Sequence, residues 1–394
     1  MNNLSFSVKV SISGVLNSFF TKKQAADFYA YYRKNLPSEV TKRKTLHTNN
    51  PNSDEYLSRT QIDFLVTFAE ENILAENYLN LLLYLSKYSM LSGEFVLAAR
   101  LYGQVVNHSG NKAGFNNFKA NALLGLAEVY SRQAEWTKSY SSATQALRMF
   151  RADKDIKGVA SCENLIGTNY GECGELSKAS KRFEKCLRIL ENNSDIDLKG
   201  RIKINLGIIN NILGKYDNAL SHFNRALFSY QKIQHHSRIA EVRHNLGMTY
   251  YKKEEYQTAL SEFEQSIELS TKLNYLQLIG ISYLQKAFIY VALDDLALAD
   301  SFSNQSMEIC LKINDMLSVA EVYRVKGLIQ KNLNNSILAK SYLLTSLRLN
   351  RELKNKMNEA ETLIELEELS KETGLANEAE SYLDKALSYF KSIK

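Results

Sequence analysis

A forty-residue register constrains this chain more than any other feature. Gly167, Gly207, Gly247 and Gly327 fall on one 40-residue ladder; its other rungs are Ala127, Ala287 and Glu367, with Ser86 one step of 41 earlier. Seven positions upstream of the rungs from Ala127 onward lies a second set of small residues: Ala120, Ala160, Gly200, Ala240, Gly280, Ala320 and Ala360. Twelve positions downstream come Ala98, Ser139, Ala179, Ala219, Ala259, Ala299, Ala339 and Ala379. Sixteen downstream come Tyr102, Ala143, Phe183, Phe223, Phe263, Ser303, Leu343 and Leu383. Self-similarity at one fixed period defines a repeat protein. Small residues recur where two helix backbones approach closely, and large apolar ones recur where a helical hairpin buries its inner face. One hairpin cannot bury that face alone, so neighbours must stack. The register predicts an all-α chain of about eight hairpins beginning near residue 79, with hairpin turns near residues 93, 134, 174, 214, 254, 294, 334 and 374.

The N-terminal part does not share the register. Residues 22–35 have helical periodicity, with Ala25, Phe28, Tyr29 and Tyr32 on one side and Pro37 as a stop. Residues 44–54 read as a linker, and a long helix is expected from an N-cap at Asp54 toward Asn72. The expected division is therefore a helical arm or cap with linker over 1–56 and a solenoid over 57–394. Whether the first part is a degenerate cap or a separate helical module stays open at this stage. Glu367, in place of glycine, is expected as a polar change in a terminal repeat, where solubility demands charge.

Within each repeat the first helix reads Leu-Gly-x-x-Tyr or close to it, as at Leu246, Gly247 and Tyr250, or Ile166, Gly167 and Tyr170. An aromatic often opens the second helix: Phe95, Trp136, Tyr216, Tyr256. This pattern resembles the tetratricopeptide repeat family. Two departures are a repeat of 40 rather than 34 residues and the missing terminal proline, since the chain holds only Pro37 and Pro51. Without that breaker the helices run on. The long form is similar to the repeats of kinesin light chains, of the LGN/Pins adaptors and of bacterial Rap-type regulators. The resemblance implies an α–α superhelix whose first helices line a concave groove.

Composition narrows the function classes. A net charge of +6, from 49 basic and 43 acidic residues, is too mild to imply nucleic acid. Residues 1–56 supply four of those six charges, which reads as a solvated helix face. No apolar run is long enough to span a membrane. Cys162, Cys173, Cys186 and Cys310 have no paired spacing and read as free thiols, pointing to a reducing, cytoplasmic setting. No phosphate-binding glycine loop, dinucleotide fingerprint or zinc-protease helix is present. His235 and His236, adjacent at a repeat junction, read as a solvated turn rather than a metal site. No catalytic residue, metal or cofactor is expected, and the chain reads as a non-enzyme.

The sharper signal lies on the first helices. The resemblance places groove-facing positions two and three residues before the glycine position and one, four and five after it. Asn205, Asn245 and Gln285 stand two before it in three successive repeats. An amide offers both donor and acceptor and so matches a peptide group whatever its side chain. In peptide-binding members of the family, asparagines at this place clamp the ligand backbone; the alternative is that they bridge neighbouring helices. Arg201, Asn211, His244, Tyr251, Lys252, Arg324 and Lys331 share the expected face, with Glu241 and Glu321 as counter-charges and Leu284, Phe288 and Val291 as an apolar pocket. A face of this kind suits an acidic peptide or a C-terminal carboxylate.

The leading expectation is a protein-interaction scaffold that holds a partner peptide or protein in its groove. One alternative is a Rap-like peptide-sensing regulator acting on a signalling partner through its N-terminal helices, with Gln24 and Gln61 as residues that could position a water. Another is a structural assembly subunit. Self-association is compatible with each.

Overall fold

The computed structural model describes residues 11–35, 57–110, 113–192, 194–353 and 355–392. Among them there are helices and turns and no strand. Seven hairpins pair Ala75–Leu91 with Phe95–Ser109, Asn116–Arg132 with Trp136–Ala152, and Ile196–Ile212 with Tyr216–Lys232, the helices Ile156–Glu172 and Leu176–Ile189 lying between the second and third of these in the chain. They continue with His236–Lys252 and Tyr256–Lys272, Leu276–Ala292 and Leu296–Lys312, Met316–Asn332 and Ser336–Glu352, and Lys356–Glu372 and Ala376–Ser392. The aromatics Phe95, Trp136, Tyr216 and Tyr256 are each the first residue of a second helix.

The hairpin turns fall on the expected residues. Gly93, Ala134, Gly174, Gly214, Glu254, Asp294, Asn334 and Gly374 all have positive φ. Lys154, Gln234, Asn274 and Asn314, at the junctions between hairpins, do too. From Ile156 on, a helix therefore begins every 20 residues, a sub-period inside the forty that the sequence reading did not isolate. The cause is a Schellman ending repeated at most turns. The residue after the left-handed one donates its N–H five residues back: Glu135 to Tyr130 at 2.9 Å, Glu255 to Tyr250 at 2.9 Å, Asp315 to Cys310 at 2.8 Å. A left-handed residue with a Cβ is strained by roughly 1–2 kcal/mol. Replacing Lys154 or Gln234 by glycine should therefore raise stability by up to about 1 kcal/mol each in a urea melt. Gly214→Ala should cost a similar amount, because open space around its Cβ leaves backbone strain as the sole effect.

The ladder glycines make room for the residue sixteen positions on. A Cβ on Gly207 would lie 2.5 Å from Phe223, on Gly247 2.8 Å from Phe263, and on Gly327 2.7 Å from Leu343. Where the rung is alanine the partner position is small: Ala127 with Ala143, Ala287 with Ser303, all buried. In these pairs a rung that carries a Cβ stands opposite a small partner, and a rung without one stands opposite a large partner. Glu367 departs from the expected solvent-facing change. It is 5 % exposed, and its carboxylate meets Lys371 one turn on at 2.5 Å. The long side chain reaches an ammonium while its stem packs.

The chain divides into two compact units: residues 1–170 with 188–191, and 171–187 with 192–394. In the first, the helices Ile12–Phe19, Lys22–Asn35 and Arg59–Asn72 share one core with the first repeat. Phe28 is fully buried against Phe68, ring centres 5.5 Å apart, and Phe19 meets Tyr84 at 5.4 Å. The described part of the N-terminal region, residues 11–35, is thus committed to this core. The linker, Pro37 and Asp54 lie outside the described residues. Within them, Arg59–Asn72 starts at Ser58, whose hydroxyl accepts from the Gln61 N–H while the Gln61 side chain accepts from the Ser58 N–H. That capping box satisfies two orphan donors at once.

Candidate functional site: the first helices of the second unit

The groove positions belong to five parallel first helices, Ile196–Ile212 through Lys356–Glu372, each touching the next. Tyr251, on the fifth repeat, lies within electrostatic reach of Arg324, Glu361 and Glu365, two and three repeats ahead. In a straight stack three helix spacings of ~8–10 Å would put repeat eight far beyond that reach. The first helices therefore curve around a shared concave side.

On the fourth repeat Arg201 pairs with Asp197 at 3.3 Å. Asn205 and Asn211 are half-buried, and the Asn211 Oδ1 is shielded from solvent without a hydrogen-bond partner. On the same helix Ile208 and Ile212 are 38 % and 55 % exposed. These two isoleucines, at the groove positions one and five after Gly207, stand beside the residues expected there from the sequence. On the fifth repeat Asn245 is half-buried and its Nδ2 donates to the Glu241 carbonyl at 3.0 Å, one turn back. Tyr251 is half-buried, and Lys252 is exposed with Nζ 5.9 Å from the Tyr251 ring centre. Gln285 on the sixth repeat is half-buried as well.

Three expectations change. His244 is not a groove side chain. Its Nδ1 is hydrogen-bonded to Ser282 Oγ of the next repeat at 2.9 Å, and its ring stands 5.3 Å from Phe263. Burial in this seam pushes its pKa down to about 4, so it is neutral. Leu284 and Phe288 form no open pocket: they are 3 % and 8 % exposed, and the Arg324 guanidinium lies 4.7 Å above the Phe288 ring. The face is also not simply basic. Arg324 binds Glu321 at 2.6 Å and Glu361 at 3.0 Å, and Lys331 binds Glu368 at 2.8 Å and Glu372 at 3.4 Å. Burial alone would lower the Arg324 pKa; Glu321 and Glu361 more than offset it. Burial raises Glu365, with Glu368 and Glu361 acting in the same direction against Arg324 and Lys331.

The arrangement is one of recognition chemistry. Gln24 and Gln61 hold no water-positioning geometry: Gln24 accepts from the Thr21 N–H at 2.9 Å and donates to the Asn72 carbonyl at 2.6 Å, and Gln61 serves the cap at Ser58. Burial raises the Cys173 thiol, and Glu175 and Glu172 raise it further, the reverse of what activates a nucleophile. Among the described residues no group of His, Cys, Asp and Glu could hold a metal, and no helix is long and apolar enough to cross a membrane.

A tetratricopeptide repeat family model matches residues 199–272, the fourth and fifth repeats. A curated relative, the transcriptional activator NprA of Geobacillus stearothermophilus, is 29 % identical over 102 residues. That match covers 26 % of this chain and spans about a quarter of the relative, 25 %. Among solved structures, the apo form of the quorum sensor NprR from B. thuringiensis superposes with a TM-score of 0.61 at 15 % identity, over 84 % of this chain and 94 % of that one. The Rap conjugation gene regulator of plasmid pLS20, solved in complex with the Phr* peptide, superposes with a TM-score of 0.59 at 16 % identity, over 94 % and 95 %. These likenesses are of fold. The family model thus identifies tetratricopeptide repeats over residues 199–272, and the superpositions show that the chain shares the fold of the Rap and NprR structures.

Proposed function

We propose that the chain is a non-catalytic cytosolic scaffold whose concave side, on the fourth to eighth repeats, binds an extended peptide. The observation that carries this reading is the run of half-buried amides, Asn205, Asn211, Asn245 and Gln285, interleaved with the exposed side chains of Ile208 and Ile212. Amides meet the ligand backbone, and the isoleucines offer an apolar seat. The pLS20 regulator, similar in fold, was solved with a peptide bound, which supports the same mode here. Charge orients the ligand. Lys252 pairs with no carboxylate among the described residues, whereas Glu361, Glu365, Glu368 and Glu372 outnumber Arg324 and Lys331 on the last two repeats. An acidic group therefore fits over the fourth and fifth repeats, through Lys252 and Arg201, and a neutral or cationic end fits over the eighth.

The test is enrichment of a random heptapeptide library on the immobilised full chain, read by mass spectrometry. Asn205→Ala with Asn245→Ala should lose the enriched peptides while circular dichroism stays native. Each unpaired peptide group left behind costs about 1–3 kcal/mol. Equal enrichment by the double variant would remove the clamp reading, and loss of helicity would make the two asparagines structural. A second reading, in which the N-terminal helices engage a signalling partner, is favoured by one observation: Lys22, Lys23, Arg33 and Lys34 are all solvent-exposed on Lys22–Asn35.

A further inference from the structure

In the fifth, sixth and seventh repeats one pair of positions ties the two helices of the hairpin together: the residue four before the ladder position and the residue fifteen after it. Arg243 meets Glu262 at 3.0 Å, Tyr283 stacks on Phe302 with ring centres 5.8 Å apart, and Tyr323 lies 6.1 Å from Tyr342. Each pair is complementary. The fourth repeat places Lys203 and His222 at the same positions, both half-buried, with Arg225 one turn further along. Here the two positions lack that complementarity, because Arg225 disfavours the charged form of both Lys203 and His222. Burial and then Arg225 depress Lys203, with Lys199 adding to the effect; burial, Arg225 and Lys203 depress His222, and Glu184 acts there in the opposite sense.

The stripe continues outward along Tyr216–Lys232. His222, Arg225, Phe228 and Lys232 are spaced by three, three and four residues, which keeps them on one side of the helix. Phe228 is 60 % exposed, with the Lys232 ammonium 4.5 Å above its ring. The single acid of this helix, Asp217, sits in its first turn and pairs with Lys253 at 3.3 Å. The Lys232 ammonium over one part of the Phe228 ring is a favourable cation–π contact, and the rest of the ring stays open to an apolar side chain of a partner. None of these residues occupies a groove position, so the stripe is available whether or not the groove is filled.

We propose that Lys203, His222, Arg225, Phe228 and Lys232 form a second docking surface, for an acidic segment of a partner protein whose carboxylates meet Lys203, Arg225 and Lys232 and accept from the His222 imidazole, and whose apolar side chain packs on Phe228. Charge complementarity selects the occupant: the stripe itself offers no carboxylate, and its single apolar group is large, aromatic and central.

The probe is a labelled helical peptide carrying glutamates around two leucines, compared with its glutamine counterpart, by fluorescence anisotropy on the full chain. The glutamate peptide should bind at least about tenfold more tightly, and more weakly as salt rises. His222→Glu recreates the Arg243–Glu262 type of pair. It should raise the melting temperature by about 2 °C while weakening the peptide by about tenfold. Phe228→Ala should weaken binding with an unchanged melt. Equal binding of the two peptides, or full binding by His222→Glu, overturns the proposal. So does displacement of the peptide by inorganic tripolyphosphate with Phe228→Ala silent, which would reduce the stripe to a small-anion site.

Discussion

Gly207→Leu should destabilise the second unit by about 3 kcal/mol, the upper end of what overpacking costs. Even the first carbon of the new side chain would stand 2.5 Å from the Phe223 ring, which is fully buried and has nowhere to retreat. Gly207→Ala should already cost about 1–2 kcal/mol for the same reason. The pair is coupled, so shrinking the partner should restore part of the loss. Gly207→Ala combined with Phe223→Leu should be more stable than the sum of the two single changes by at least about 0.5 kcal/mol. Urea denaturation of the four proteins measures this directly. An unchanged midpoint for Gly207→Leu would show that the ladder position is not a contact. Because each repeat leans on its neighbours, hydrogen exchange should accelerate first in the third to fifth repeats.

Acid should loosen the seam between the fifth and sixth repeats through His244. Its folded pKa lies at about 4, below the ordinary value of 6.5, because burial disfavours the imidazolium. Between those values the unfolded chain holds the proton and the folded chain does not. Stability from this group is therefore complete above pH 6.5 and is lost as pH falls toward 4. A shift of this size corresponds to roughly 3–4 kcal/mol, so the melting temperature should fall by several degrees across the window. His222 is shifted in the same direction, while buried Glu321 and half-buried Glu365, shifted up, act in the opposite sense. The difference between the wild type and His244→Leu isolates the imidazole. Parallel stability curves for the two proteins would show that His244 does not titrate in this way.

Most of the architecture was legible because its causes are periodic. Turn positions and the aromatic openings of second helices follow from residues that recur at one spacing. The Gly–Phe contacts were half legible: both columns stood out, but only the structure joins Gly207 to Phe223 and Gly327 to Leu343. The site was less so. Register places a residue on a face of its own helix and is silent about what reaches that face from the next. Arg324 and Lys331 looked like free cations because Glu361, Glu368 and Glu372 lie one repeat away. His244 shares the inward face with Asn245, yet Ser282 and Phe263 draw it into the seam. Gln61 belongs to a capping box with Ser58, a pairing that the Ser-x-x-Gln spacing itself could have revealed.

The volume trade between ladder position and partner also bears on how such a chain diverges. Within one molecule it holds Gly207 with Phe223, Gly327 with Leu343, Ala287 with Ser303 and Ala127 with Ala143. These read as successive stations along one path, in which the partner shrinks and the rung then acquires a methyl group. Either column compared alone across related proteins would look permissive, tolerating glycine or alanine here, phenylalanine or serine there. In these four pairs the constraint resides in the combination, a large partner only where the rung lacks a Cβ, so inheritance would preserve a relationship between two sites rather than the identity of either.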